Sequence, residues 1–417
     1  MFRRLTVTAV LLAAAFTPSA ARANINPDNA YGTSGVAKVP IGCAPGTVAS
    51  IASTAGYQGQ VYLLAECAHG YDRLIRLTDA GTVDTGFGTG GHLTIKLPTS
   101  CVGTSVHLKA TETGDLFLAS EGDTFGSNPA MHVCLVRVTK SGKLWPGYGG
   151  ATPIRHLDRV GGGQNTFVGL DVGSPGRVQL YSQRSNQDWR KAAAFVNVYA
   201  SNGHPDPGFS GDGQASFVQP FAGELQWGGR LRMAITVDNG RGLAGVQLVA
   251  FNYNGTLNTS FAHDGSSFVP RSDLLGGYTD PGAFVSDSAG GIVFTTHFVG
   301  PGKQWIDLYR VGVTGIRDSL FNQKTQRISG LTTTNFNRID LQATDGHYAL
   351  GWSTSNDLPG PRTTGYNADG SRWIDLGTNG TAKKLATDWA PDRTSYYDYV
   401  DEGGPNTVIE VRRSNVS

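Results

Sequence analysis

The stretch Leu74-Ile75-Arg76-Leu77-Thr78-Asp79-Ala80-Gly81-Thr82-Val83-Asp84-Thr85-Gly86-Phe87-Gly88-Thr89-Gly90-Gly91 decides how this chain is read. It opens as a strand, with apolar residues around one arginine, and continues as punctuation: Gly81, Asp84 three residues on, Phe87 three after that, and Gly91 four beyond. Glycine enters left-handed backbone at little cost, and a short carboxyl bonds the backbone of its own turn, so this order of residues specifies a tight, closed turn after a strand.

With Phe87 setting the register, the pattern recurs with anchors at Tyr31, Tyr148, Phe209, Phe261, Phe321 and Leu376. Six residues before the anchors stand Gly81, Gly142, Gly203, Gly255, Gly315 and Gly370, and four residues after stand Gly35, Gly91, Gly213, Gly265 and Gly380. The third position before the anchor holds Asp28, Asp84, Asp206, Asn258 and Asp318, with Trp145 and Trp373 as departures. The fixed place of these acids between a Gly and an aromatic predicts Asx-turn hydrogen bonds, a structural duty and not a set of repeated ligands. The intervals between anchors are 56, 61, 61, 52, 60 and 55 residues. Each has room for four short strands, read around Phe87 and Tyr148 as residues 92–97, 105–110, 115–120 and 133–138. Gly59, Gly114, Gly176, Gly290-Gly291 and Asp345-Gly346 mark a second turn in each period.

Four strands at this period describe the blades of a β-propeller. The segment from Asn24 carries the end of a motif and the strand Val36–Pro40 with nothing before them, while Val408–Val411 is a strand with no motif after it. Each end lacks what the other has. The expected fold is therefore all-β, a seven-bladed β-propeller of four-stranded blades over residues 24–417, with the N-terminal strand closing the last blade; six or eight blades are the alternatives. The signature G-x-x-D-x-x-F-G-x-x-G after an L-x-R-L strand resembles the bacterial delta-sixty repeat family of β-propellers. That resemblance implies a propeller in an exported bacterial protein, and no defined reaction.

Composition narrows the function. Glycine, at 57 of 417 residues, is about twice the usual share, and the register above accounts for the excess. Charged residues are 16% and the net charge is +1, so no basic field exists to hold nucleic acid or an anionic bilayer. Arg3 and Arg4 precede an apolar run from Leu5 to Phe16, and Ala21-Arg22-Ala23 ends it with small residues, so residues 1–23 read as a signal peptide. The run is too short to span a bilayer, and the mature chain is expected to be secreted or periplasmic, without a membrane span, and monomeric.

Successive antiparallel strands put the motif turn and the first hairpin of each blade at one end. The other end is built from connections such as 41–47, 97–104, 121–131, 156–165, 183–190 and 298–304, which vary in length and composition, and binding residues favour such loops. Cys43, Cys67, Cys101 and Cys134 all fall at this variable end. Four cysteines in an exported chain allow three pairings, and the matching contexts of Cys43 and Cys101 favour Cys43–Cys67 and Cys101–Cys134. The alternative, a zinc site, would need a C-x-x-C spacing or paired histidines, and neither accompanies these cysteines.

No H-E-x-x-H, G-x-S-x-G, P-loop, dinucleotide fingerprint or EF-hand loop is present, so no cofactor and no metal is expected. The candidate ligand-binding residues are His156, Asp158 and Arg159 in one long connection, and Arg184, Asp188, Trp189 and Arg190 in another. An aromatic plate beside planar hydrogen-bonding groups suits a neutral polar ligand, while a solvated loop whose Trp covers a blade edge is the plain alternative. The expected function is a binding or interaction module that presents the variable face to a protein or glycan. A carbohydrate-active lyase or hydrolase with its site at the channel mouth is the second reading, a structural surface protein the third, and whether the chain catalyses anything stays open.

Overall fold

The computed structural model describes residues 25–416 apart from 28, 44–47, 57–58, 68–70, 99–100, 102–104, 124–130, 149–153, 158–163, 174–175, 186–191, 220–224, 228–230, 239–242, 271–278, 287–289, 301–302, 320, 322–327, 332–335, 345–346, 355–361, 372–380, 383–387, 390–394 and 402–407. The described residues are strands and turns, with no α-helix among them. The described residues begin with β1 (Ile25–Pro27) and β2 (Val36–Pro40). Six four-stranded antiparallel sheets follow in sequence. The first comprises β3 (Val48–Ala55), β4 (Val61–Cys67), β5 (Tyr71–Leu77) and β6 (His92–Lys96), and the second β7 (Ser105–Ala110), β8 (Leu116–Asp123), β9 (Met131–Val138) and β10 (Ile154–Leu157). The third holds β11 (Gln164–Gly173), β12 (Arg177–Ser185), β13 (Ala192–Tyr199) and β14 (Gln214–Gln219), and the fourth β15 (Leu225–Trp227), β16 (Arg232–Asp238), β17 (Leu243–Ala250) and β18 (Ser266–Pro270). The fifth is β19 (Thr279–Ser286), β20 (Ile292–Gly300), β21 (Lys303–Val311) and β22 (Ile328–Leu331), and the sixth β23 (Phe336–Thr344), β24 (His347–Thr354), β25 (Arg362–Asn367) and β26 (Thr381–Ala382).

The seventh sheet joins the two ends of the chain. It contains β27 (Asp388–Trp389), β28 (Ser395–Asp401) and β29 (Val408–Val416), and its remaining edge is supplied from the N-terminal side. β2 pairs with β29 from Val36↔Arg412 to Pro40↔Val408, and β1 continues along the same strand from Ile25↔Val416 to Pro27↔Ser414. The pairing of the two chain ends follows from what each end lacks in sequence.

The sheets pack through their faces, side by side. First strands lie against one another in succession, β3 on β7, β7 on β11, β11 on β15, β15 on β19 and β19 on β23, and β27 of the seventh sheet lies on β3 of the first. The alternation of side chains along each strand sends one set to the preceding sheet and the other to the following one. In β4, Val61, Leu63 and Ala65 join Tyr31, Val39 and Val411 of the seventh sheet, whereas Tyr62 and Leu64 join Leu108, Leu116 and Val136 of the second. Apolar residues on both faces of a strand, which leave no polar alternation, are the signature of sheets covered on both sides.

The anchors sit in these seams. Tyr31, Phe87, Tyr148, Phe209, Phe261 and Phe321 are all fully buried, each between its own sheet and another. Burying one such ring stabilises by about 2–3 kcal/mol relative to leaving it in water. Immediately after the ring the backbone reaches across: Gly32 N donates to Ala80 O at 2.8 Å, Gly88 N to Ser141 O at 2.9 Å and Ser210 N to Asn254 O at 2.7 Å. Each motif thus bonds to the turn of the next motif along the chain. Gly142 shows why that turn needs glycine: its φ is +75°, and a Cβ there would lie 2.8 Å from Gly88 Cα. The glycine before the anchor is therefore a point of backbone contact between sheets as well as a turn residue.

One connection differs from its expected form. Residues 298–304 read as a loop, but β20 and β21 stay paired through Val299↔Gln304 to Gly300↔Lys303.

Candidate functional site

The two ends of the sheets differ chemically. At the motif end the polar side chains bond to one another and to the neighbouring sheet. Asp84 Oδ1 accepts from Gly86 N at 3.0 Å, the expected Asx turn, and Asp84 Oδ2 accepts from Arg76 Nε at 2.9 Å. Arg76 Nη1 donates to Lys140 O in the second sheet, and its guanidinium lies 4.8 Å from the centre of the Phe87 ring. The arginine of the L-x-R-L strand therefore ties a turn, a ring and the adjacent sheet together, a role the sequence reading left unassigned. Asp206 and Asn258 repeat the Asx turn through Gly208 N at 2.8 Å and Ser260 N at 3.0 Å.

Where the motif departs from its pattern, the pair is rebuilt from the first hairpin. Trp145 replaces the acid in the second sheet, and Arg137 takes Asp115, after Gly114, at 2.7 Å instead. Val198 occupies the arginine position in the third sheet, and Arg177, after Gly176, reaches Asp206 at 2.6 Å. Arg137 Nη1 and Arg177 Nη2 then donate to Ser201 O and Tyr253 O of the following motif turns. The fifth sheet keeps the original arrangement, Arg310 with Asp318 at 3.2 Å. These exchanges place hairpin and motif at one end of the second and third sheets, where the arginines of the ion pairs also donate to the turn of the following sheet. A shallow groove of about 450 Å³ also opens at this end of the fifth sheet, lined by Arg310, Val313, Ile316, Arg317 and Asp318.

The opposite end holds the disulfides and the predicted ligand-binding residues. Cys43 bonds to Cys67 and Cys101 to Cys134, with Cα atoms 5.6 and 5.7 Å apart. Both bonds cross a seam: Cys43 follows β2 of the seventh sheet and meets the end of β4 in the first, and Cys101 follows β6 of the first and meets β9 in the second. His156 lies on β10 opposite Cys134, and Arg184 on β12 between Asn165 and Ala193. The backbone brings both to the same end of neighbouring sheets. Asp158, Arg159, Asp188, Trp189 and Arg190 lie outside the described residues, as does the segment 1–23.

Between the first and second sheets, near this end, two carboxyls are enclosed. Glu66 and Asp72 face each other across β4 and β5, in register, and are 5% and 2% exposed. Burial, and after it the Glu66 carboxylate, push the Asp72 pKa up to about 7. Their positions share the face of Leu64 and Leu74, so the two-residue period was the signal that marked them as inward. On the far side of β7, burial and then Lys109 lower the His107 pKa to about 4, which leaves its imidazole neutral at neutral pH. Among the described residues no three His, Cys, Asp or Glu side chains gather in a way that would hold a metal ion. No described helix is long and apolar enough to cross a membrane. The two disulfides are consistent with an extracellular or periplasmic protein.

No family model matches the chain, and no curated protein matches it. Solved structures do. The polysaccharide lyase Uly1 is similar at a TM-score of 0.50 with 10% sequence identity, over 90% of this chain and 91% of the lyase. The Nup133 β-propeller domain of Vanderwaltozyma polyspora aligns at a TM-score of 0.47 with 8% identity, over 91% of this chain and 97% of the domain. At 10% identity the likeness to the lyase is one of fold alone, that of an all-β chain.

Proposed function

We propose that this chain is an exported seven-bladed β-propeller of the delta-sixty repeat kind, closed by its N-terminal strand, that recognises a glycan with the loops at the disulfide end. One observation carries the choice of face. At the motif end, successive turns direct their arginines, carboxylates and backbone amides into the joints between sheets, whereas the connections at the other end follow no repeat and two of them are cross-linked. A rigid scaffold with variable loops at one end is the usual layout of a binding surface. Trp189 with Arg184, Asp188 and Arg190 offers a ring and planar hydrogen-bonding groups, the chemistry that holds a neutral polar ligand such as a sugar. The low charge of the chain agrees with a ligand found by shape and hydrogen bonds, without long-range attraction.

The enzyme reading, a carbohydrate-active lyase or hydrolase, needs acid and base groups open to a saccharide. Glu66 and Asp72 are too enclosed in a seam to reach one. The test is a glycan-array and partner screen with residues 24–417, followed by titration of the best hit. Trp189→Ala and Arg184→Ala should each weaken binding at least tenfold, while Ile316→Ser at the motif end should leave it unchanged. Loss of binding with Ile316→Ser, and none with the other two, would move the site to the opposite end.

A further inference from the structure

The two disulfides look alike by repeat position but differ in what they hold and in how a reagent reaches them. Cys101 and Cys134 are both fully buried, with Ser120 Oγ donating to Cys101 O at 2.7 Å beside them. Cys67 is buried too, whereas Cys43 is only partly covered. Their topological roles are also unequal. Each joins two sheets that the chain also connects, Cys101–Cys134 beside residues 97–104 and Cys43–Cys67 beside residues 41–47, but the strand before Cys43 belongs to its sheet through pairing with the other end of the chain. Cys43 stands three residues after β2, the strand that pairs with β29 from the far end of the chain.

We propose that Cys43–Cys67 is a redox-labile clasp on the closing strand, opened by a dithiol reductant while Cys101–Cys134 stays intact. The attacking thiolate displaces Cys67 from the partly exposed Cys43 sulfur, forming a mixed disulfide; the reductant's second thiolate then releases Cys43. Two protein thiols and one oxidised reductant result, with two electrons and two protons transferred. Access sets the order of reaction, because the thiolate must approach a sulfur in line with the bond, and only this disulfide includes a partly exposed cysteine. Once it opens, β2 is held on the β29 side by the strand pairs and by buried Tyr31, Val39 and Ile41, and on the first-sheet side by Gly32 N on Ala80 O and Arg73 Nη2 on Gly42 O at 3.3 Å. Release of β2 leaves β29 as a bare edge between Val408 and Arg412, where the intact sheet has a further strand.

The experiment treats residues 24–417 with increasing dithiothreitol, alkylates each sample and maps the labelled cysteines, then measures amide exchange across β29. Cys43 and Cys67 should label at a reductant concentration at least tenfold below that for Cys101 and Cys134, and the amides of residues 408–412 should exchange at least tenfold faster while those of β5 and β9 hold. The double variant Cys43→Ala/Cys67→Ala should reproduce the faster exchange without reductant, and Cys101→Ala/Cys134→Ala should not. Simultaneous labelling of all four cysteines, or unchanged exchange in β29 once Cys43 and Cys67 are alkylated, would overturn the proposal.

Discussion

Arg137 on β9 pairs with Asp115 of the first hairpin of its sheet at 2.7 Å, because the motif position that holds an acid in the first sheet holds Trp145, the centre of whose ring lies 3.7 Å from the same guanidinium. The arginine keeps a carboxylate in both arrangements, and only the source of the carboxylate changes. Both partners are mostly shielded from solvent, so the pair is worth more than a surface salt bridge.

Asp115→Asn should therefore lower stability by roughly 1–3 kcal/mol, read as a fall in the urea midpoint. Adding Trp145→Asp should restore part of the loss by recreating the arrangement of Arg76 with Asp84. If the double variant is no more stable than Asp115→Asn alone, the two acids are not interchangeable and the reading of the departure fails.

Gly142 and Gly90 separate two costs of a side chain. Both have positive φ, +75° and +62°, but a Cβ at Gly90 meets nothing within 4 Å, whereas at Gly142 it meets the Gly88 backbone. Gly90→Ala should cost about 1 kcal/mol from backbone conformation alone. Gly142→Ala should cost roughly 3 kcal/mol or more, since the first and second sheets must also move apart. Equal midpoints in chemical unfolding would show that the close approach is not a constraint.

Removal of residues 24–40 tests the seventh sheet as a whole. It deletes β1 and β2 together with the buried Tyr31, Ala37 and Val39, and leaves the edge of β29 bare. The shortened chain should unfold at a lower temperature and self-associate in sedimentation. A monomer with the melting temperature of the intact chain would count against the N-terminal strand as a structural part of the last sheet.

The buried Asp72 and the partly buried His107 make stability depend on pH in opposite directions. Asp72 is protonated in the fold up to about pH 7 but ionises near 3.8 in an unfolded chain, so its contribution is complete below about pH 4 and is lost as pH rises through 7. His107 is neutral in the fold down to about pH 4, so its contribution is present above about 6.5 and is lost as pH falls toward 4. Asp72→Asn should remove the first slope and raise the melting temperature relative to the parent at pH 8 more than at pH 5, by a few kcal/mol of stability at most, taking 1.4 kcal/mol per tenfold in proton affinity. Parallel pH profiles for parent and variant would show that Asp72 does not titrate in this range.

The turns of this fold are legible in sequence because each demands a residue type: glycine where the backbone turns left-handed or touches a neighbour, and Asp or Asn where a side chain must accept from the backbone two residues on. Strands such as Ser105–Ala110 and the pairing of the four cysteines follow once the register is known. The partners across seams were not legible. Nothing local to Arg76 says that Lys140 O accepts its proton, since that contact exists only after two sheets are set side by side. The candidate site was the least legible part. His156 and Arg184 can be placed on strands that end at the same side of neighbouring sheets, but Asp188 and Trp189 stand in a connection without period or turn signal, where local chemistry specifies no shape.

The bonds from Gly32 to Ala80, Gly88 to Ser141 and Ser210 to Asn254 all run forward, from one turn to the same place in the turn that follows. Each donor stands one residue after its anchor and each acceptor seven before the next, so donor and acceptor belong to successive periods. A duplication or excision that begins and ends at equivalent points leaves every donor with an acceptor of the same kind, as adding or removing a link does in a chain. Val36–Pro40, which completes the sheet begun at the other terminus, breaks this translational equivalence. The number of repeats can therefore change in evolution in the interior of the gene, while the split sheet keeps its two halves at the ends.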